Sequence, residues 1–300
     1  MTTRLTPVAF ALGIATSKLS SAFRGEDAPD YDVAEVHVKG PIQRDPPRTI
    51  GRRNRSTADD VVEQIETADE DDAVEALVVR LNTPGGEIVP SEDIRLAVET
   101  FDGPTVGYMT DVCASGGYLV ASACDVLVAR TGSMVGSIGV IGSRGNFSGL
   151  ADKLGVEYER FTAGEFKDAG TPLREMDEDE REYIQDLIDA HYDDFVGTVA
   201  ASRDLTEAEV RATEAKVFLG EDALEEGLVD AVGTEELVRE ALCDALDREA
   251  VRVREFTKRP SGLARLNIGA QQLSYSFGAG LADRLAGDGD GPLSIEYRRR

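Results

Sequence analysis

This 300-residue chain has little from which to build a metal centre or an imidazole base: three cysteines and two histidines. Cys113, Cys124 and Cys243 are too few and too scattered for a disulfide framework or a zinc cluster, and read as reduced, mostly buried thiols. His37 falls in a strand-like run and His191 in a helical one, so both read as structural rather than catalytic. Cations are scarce too, with 32 Lys and Arg against 57 Asp and Glu, and aromatics make up 6% of residues. A formal charge of -25 repels polyanions and argues against nucleic acid as the main partner. Long apolar runs are also missing: residues 7–15 fall far short of the ~20 that a membrane-spanning helix needs. None of these patterns calls for a metal or a cofactor.

What is present points to a folded, salt-tolerant protein. Apolar residues make up 41% and recur in short strand-like runs, which argues against disorder. The acidity then reads as a solvated surface suited to high salt, ahead of an acidic interaction surface. It is confined to the middle: residues 1–25 and 257–300 each carry a net +3, leaving -31 on residues 26–256. Both ends are weakly amphipathic at helical spacing. The first is open to three readings, a short signal-peptide core, an interfacial anchor or a helix packed on the domain. We divide the chain into a basic N-terminal segment (1–30), a core domain (31–256) and a basic C-terminal segment (257–300).

The core reads as strands alternating with helices. Alternation predicts a strand at 33–39, followed by a polar, basic loop over 43–55. A helix capped by Ser56 or Thr57 runs to 69. The apolar run 75–82 is a strand buried on both faces. It stops at Thr83-Pro84-Gly85-Gly86, a helix follows over 90–101, and Pro104 opens a strand at 105–109. Strand, glycine turn and helix thus occur twice, which predicts an α/β fold with both turns at one edge of the sheet, where sites sit. Further strands are expected at 126–129, 138–141, 156–161 and 251–256. Capping boxes at Asp177/Glu180 and Thr206/Glu209 open a long and a short helix. Gly227 ends a helical run from 223, and another helix spans 234–245.

The stretch from Tyr108 to Gly142 carries the chemistry. It places Ser115 in a Gly-rich turn between a strand and an Ala-rich helix, where free helix-start amides can hold an oxyanion. The Gly85-Gly86 turn offers a second donor, although both glycine pairs also fit as plain tight turns. Cys113 stands where a GxSxG elbow would have its first glycine, so that motif is absent. A nucleophilic serine needs a base, and with the histidines set aside a lysine neutralised by burial and polar neighbours is the better candidate. Lys167 lies in a Gly-flanked loop among acidic residues, a setting that suits an ordinary surface lysine as well.

LNTPGG at 81–86, CASGGYLVASACD at 113–125, GSIGV at 136–140, GEFKDAGTPLREMDEDER at 164–181 and ALEEGLVDAVG at 223–233 resemble, in that order, the SppA-type signal peptide peptidase family. The likeness covers about 33–240 and fits a short, single-domain, archaeal-like form from a halophile. It implies a Clp/crotonase-like fold, a repeated β-β-α spiral with a mostly parallel sheet flanked by helices. It also implies a Ser/Lys dyad peptidase that degrades released signal peptides at the membrane. In that family Ser115 matches the nucleophile, Lys167 the general base and Ser137 the residue holding the lysine amine. The Gly86 and Gly116 amides match the oxyanion hole. The resemblance further implies a homo-oligomer in which serine and lysine can come from adjacent subunits.

Hydrophobic peptides such as signal peptides would lie in an apolar groove, for which Val89, Ile138 and Val140 are candidates, Val140 being the one that best suits plain core. Family members commonly begin with a transmembrane anchor, which residues 1–25 do not supply. The expected location is therefore membrane-associated, through the basic amphipathic ends, or cytoplasmic. Two alternatives share the fold, a crotonase-like acyl-CoA enzyme and a scaffold without catalysis. No basic cluster for a CoA phosphate accompanies the glycine turns.

Overall fold

The computed structural model describes residues 30–44 and 57–257. Nearly all of both basic end segments and most of the 43–55 loop fall outside the described residues. The described residues form eight strands in one sheet and eight helices.

Strand β1 (Val33–Lys39) is followed by helix α1 (Ala58–Asp69), whose Thr57 cap accepts from the Asp60 amide while Asp60 reaches back to the Thr57 amide. That reciprocal pair fixes where the helix starts, and Asp59 and Asp60 complement its positive end. Then come β2 (Ala76–Thr83), α2 (Ile88–Glu99), β3 (Thr105–Ala114) and α3 (Gly116–Ala121). After them run β4 (Val126–Ala129), β5 (Met134–Gly136), α4 (Ser148–Leu154) and the 26-residue α5 (Glu178–Arg203). The order closes with α6 (Glu207–Ala212), β6 (Val217–Phe218), α7 (Gly220–Glu225), β7 (Ala231–Val232), α8 (Glu235–Leu246) and β8 (Val253–Glu255).

The main path of the sheet runs β6-β5-β3-β2-β1-β8 and is parallel except for the β5-β6 pair. Alternate residues of β2 feed two cores. Leu77, Val79 and Leu81 join Val61 and Ile65 of α1 and Ile94 of α2 on one face, while Ala76 and Val78 join Val238 and Leu242 of α8 on the other. Burial on both faces is why β2 reads as an unbroken apolar run. Each such side chain contributes ~1.5–3 kcal/mol on leaving water.

Strand β3 forks. Val106–Met109 pair with β4, whereas Val112–Ala114 pair with β5. Between these halves the β2-β3 register shifts, from Leu81↔Met109 to Thr83↔Cys113, so β3 holds two more residues than β2 over that interval. Thr110 and Asp111 occupy the irregularity, with Asp111 accepting from the Asn82 amide at 2.7 Å. These polar residues mark the end of a strand in the sequence, yet the strand continues for five residues past 109 and delivers Ser115 at its tip.

Two expected strands are corrected. The segment 138–141 is not a strand; the ladder is Met134–Gly136 instead. Gly136 (φ 108°) and Ser137 (φ 51°) sit in the left-handed region, which breaks an extended run before Ile138 begins. Nor do 156–161 form a strand. Their polar groups turn to the following loop, Arg160 donating to the Glu165 carbonyl, and a β-ladder cannot form without a neighbouring strand.

Candidate active site

Both glycine turns meet at the carboxyl ends of β2 and β3. Gly85 adopts φ 88°, and a methyl there would lie 2.6 Å from the Gly116 nitrogen and 2.9 Å from the Ser115 Cβ. At Gly116 a methyl would strike the Ser91 Oγ at 2.3 Å and come within 3.4 Å of the Gly86 nitrogen. Only glycine lets the two backbones approach this closely. The β2 turn is held from behind by Ile42, whose amide donates to Gly85 and whose carbonyl accepts from Glu87. That arrangement leaves the Gly86 amide unused. Among the described residues neither the Gly86 nor the Gly116 amide donates to another group.

Ser115 stands at the N-cap of α3 with φ 52° and ψ -126°, a backbone strained for a residue with a Cβ. Its hydroxyl makes no capping bond, so the side chain is left for other work. Its own amide is spent on the Gly136 carbonyl at 2.8 Å, and its carbonyl accepts from Tyr118 at 2.8 Å. Through the first of these bonds Ser115 is tied to the residue preceding Ser137. Ser137 is half-buried, and its amide donates to the Lys216 carbonyl.

Ser115, Gly116, Gly86 and Ser91 line a cleft of about 260 Å³. Its apolar wall comes from Ile88, Val89, Leu119, Val140, Ile141 and Phe195. Glu92 and Arg95 of α2 and His191, Asp194 and Thr198 of α5 supply the polar lining, with Arg95 held to Glu99 at 3.0 Å. Val89 and Val140 therefore face the cleft, whereas Ile138 is fully buried in the core, reversing the roles expected of the last two. The contribution of α5 escaped the sequence reading. His191, Asp194, Phe195 and Thr198 fall at i, i+3, i+4 and i+7, one face of a helix, and that spacing was the available signal.

Lys167 lies elsewhere. It is exposed, in a turn-rich segment, and is absent from the lining of this cleft. His37 pairs with Glu35 at 2.6 Å and does not line the cleft either. Cys113 and Cys124 are buried free thiols whose ionisation burial pushes up, which makes them poor nucleophiles. No group of His, Cys, Asp and Glu among the described residues is arranged to hold a metal ion. No described helix is long and apolar enough to cross a membrane.

A family model described as Peptidase family S49 matches residues 101–248. The chain is 36% identical over 227 residues to a protein of Methanocaldococcus jannaschii named as a candidate protease, covering 74% of this chain and 72% of that one. To a protein of Enterococcus faecium named as a candidate signal peptide peptidase SppA it is 32% identical, over 74% of this chain and 64% of the relative. To the chloroplastic serine protease SPPA of Arabidopsis thaliana it is 31% identical, over 65% of this chain and 28% of that longer one.

Proposed function

The chain belongs to peptidase family S49, with its Clp/crotonase-like fold, and is a serine peptidase; from that premise we propose that Ser115 and Lys167 form a Ser/Lys dyad that hydrolyses hydrophobic peptides. The observation that carries the reading is the Gly86 and Gly116 amides, neither of which donates to another group among the described residues, beside an unengaged Ser115 hydroxyl in a cleft with an apolar wall. Family membership sets the acyl-CoA and scaffold alternatives aside.

In this mechanism the Ser115 Oγ attacks the scissile carbonyl carbon and its proton passes to the neutral amine of Lys167. The carbonyl oxygen becomes an oxyanion and takes hydrogen bonds from the Gly86 and Gly116 amides. The C-N bond then breaks, the leaving amine receives the proton from Lys167, and an acyl-enzyme remains on Ser115. Water, deprotonated by the same lysine, adds to the ester carbonyl; the ester C-O bond then breaks, Lys167 returns the proton to the departing Ser115 Oγ, and the acid is released with serine and amine restored. Ser137 holds the amine between steps.

Since Lys167 does not line the cleft of its own chain, a neighbouring copy supplies it in a homo-oligomer with shared active sites. Exposed apolar side chains in the same region, Ile141, Phe147, Leu150, Leu154, Phe161 and Phe166, support this by requiring cover. Signal peptides fit the apolar wall as extended segments, pairing along the irregular 138–141 backbone. The peptidase domain spans 31–256, and the basic stretches of the two end segments, residues 1–25 and 257–300, bring it to an anionic membrane surface. The acidic composition suits a halophile.

Cleavage of a fluorogenic peptide with an apolar P1 residue, at molar KCl, tests the dyad. Ser115→Ala and Lys167→Ala should each abolish turnover with assembly unchanged by light scattering. Mixing the two inactive variants under subunit exchange should restore part of it, because hybrid sites combine an intact serine with an intact lysine. Full activity of Lys167→Ala would sink the dyad; failure of the mixture would confine each site to one chain.

A further inference from the structure

The segment around Lys167 is held in an unusual way. Lys167 has a carboxylate on the next residue, Asp168, and another two residues before it, Glu165, yet its amine pairs with neither. Asp168 is taken by guanidiniums instead. Its Oδ1 lies 2.7 Å from Arg160 and 3.1 Å from Arg174, and its Oδ2 accepts from the Arg174 Nε at 3.3 Å and from the Tyr158 hydroxyl at 3.4 Å. Glu165 contributes only its carbonyl, to Arg160 at 2.6 Å.

Arg174 spends its remaining donors on Glu180 of α5 and on the chain just before that helix. It donates to Glu180 Oε2 at 2.7 Å, makes a second bond to Glu180 Oε1, and reaches the Glu175 carbonyl at 3.0 Å. Glu180 is 2% exposed and closes the capping box of α5 with Asp177. One residue before Lys167, the Phe166 ring packs on Tyr183 of the same helix, centroids 5.0 Å apart. Both neighbours of Lys167 are thus fastened, and its amine alone is left without a partner among the described residues.

We propose that Arg174, assisted by Arg160, is a positioning residue for Lys167: it occupies the Asp168 carboxylate so that the lysine amine is not captured by its own neighbour. This rests on the reading of Lys167 as the general base. An ammonium paired with an adjacent carboxylate is held charged, and a charged amine cannot accept the serine proton. A guanidinium cannot give up its proton and grips a carboxylate with two parallel bonds, so it outcompetes the single-point ammonium for Asp168. Consistent with that grip, the Arg174 hydrogen bond foremost holds the Asp168 carboxyl below its ordinary range. A separate Arg174 hydrogen bond to Glu180 holds that carboxyl below its ordinary range as well.

Steady-state peptidase assays of the assembled protein test this, with Arg174→Gln, Arg174→Gln/Asp168→Asn and Lys167→Ala. In Arg174→Gln, Asp168 is free to bind Lys167, and kcat should fall about tenfold with KM within about twofold, the scale of one redirected charge-assisted hydrogen bond. Adding Asp168→Asn removes the competitor and should return kcat to within about threefold of wild type, which loss of a merely structural bolt would not allow. A double variant as impaired as Arg174→Gln, or an Arg174→Gln protein with unchanged kcat, overturns the proposal. Lys167→Ala separates the two layers. If it retains activity, the dyad reading and this inference fall together; if it is inactive while Arg174→Gln is unaffected, only the inference falls. Should Arg174→Gln not assemble, the exposed Arg160 provides the same comparison through Arg160→Gln with and without Asp168→Asn.

Discussion

The Cα of Gly85 faces the backbone nitrogen of Gly116 so closely that a methyl on Gly85 would sit 2.6 Å from it. The two turns are therefore one unit: what displaces the first also moves the amide of the second. Gly85→Ala also forces a side chain into φ 88°. We expect kcat to fall by about 10²–10³, the cost of one misplaced oxyanion donor, with the cleft still able to bind peptide. An unchanged kcat alongside a folded circular dichroism spectrum would contradict the role given to these amides.

Ile138 and Val140 should respond in opposite ways to truncation. Ile138 is fully buried, so Ile138→Ala should cost about 2–5 kcal/mol by urea unfolding. Val140 borders the cleft, so Val140→Ala should leave stability within about 1 kcal/mol and instead raise KM for apolar peptides.

Arg203 anchors the last turn of α5. Its side chain is buried, and its fork grips Asp230 at 3.1 and 2.7 Å, while Asp230 also accepts from the Leu127 amide. Arg203→Ala leaves that carboxylate without its cation and should destabilise the fold by about 3 kcal/mol. Because α5 also lines the cleft, catalysis should weaken below the melting transition, which activity against temperature would show.

Glu35 gives the pH prediction. Burial alone would raise its carboxyl, but hydrogen bonds from His37 and from Arg80, with their charges, overcome this and hold it at about 2. A depressed carboxylate contributes stability above the ordinary value of about 4.3 and loses that contribution as pH falls through 2. Glu35→Gln should therefore flatten the part of the stability curve between about pH 4 and pH 2. Parallel acid-unfolding curves for the two proteins would refute this.

The fold was legible where side-chain period and capping chemistry agree. β1 and β4 match their expected bounds because β1 alternates cleanly up to a Gly-Pro turn and β4 is a short apolar run. The start of α5 just after Asp177 was legible because the Asp177/Glu180 box can be recognised from residue types alone. The failures share a cause in contacts the local sequence does not encode. Residues 156–161 alternate like a strand, but no strand among the described residues pairs with them. The continuation of β3 through Thr110 and Asp111 depends on Asn82, 29 residues away, which pairs with Asp111. At the cleft, Ser115 and the glycine turns could be named from their motifs, whereas Ser91 and the α5 face enter only through tertiary packing.

The outer edge of β1 is closed by β8, with Val33 opposite Val253 and the Asp32 carboxylate accepting from the Arg252 amide at 2.6 Å, across 220 residues of chain. Synthesis therefore produces one of the most buried strands of the sheet long before the strand that covers it. Until residues near 253 leave the ribosome, β1 presents a row of open backbone donors and acceptors to any passing extended chain. Loop closure over such a span is slow, so the interval is long compared with the folding of the helices. A chain cut off before residue 251 would keep that edge permanently, a template for strand addition by a second copy.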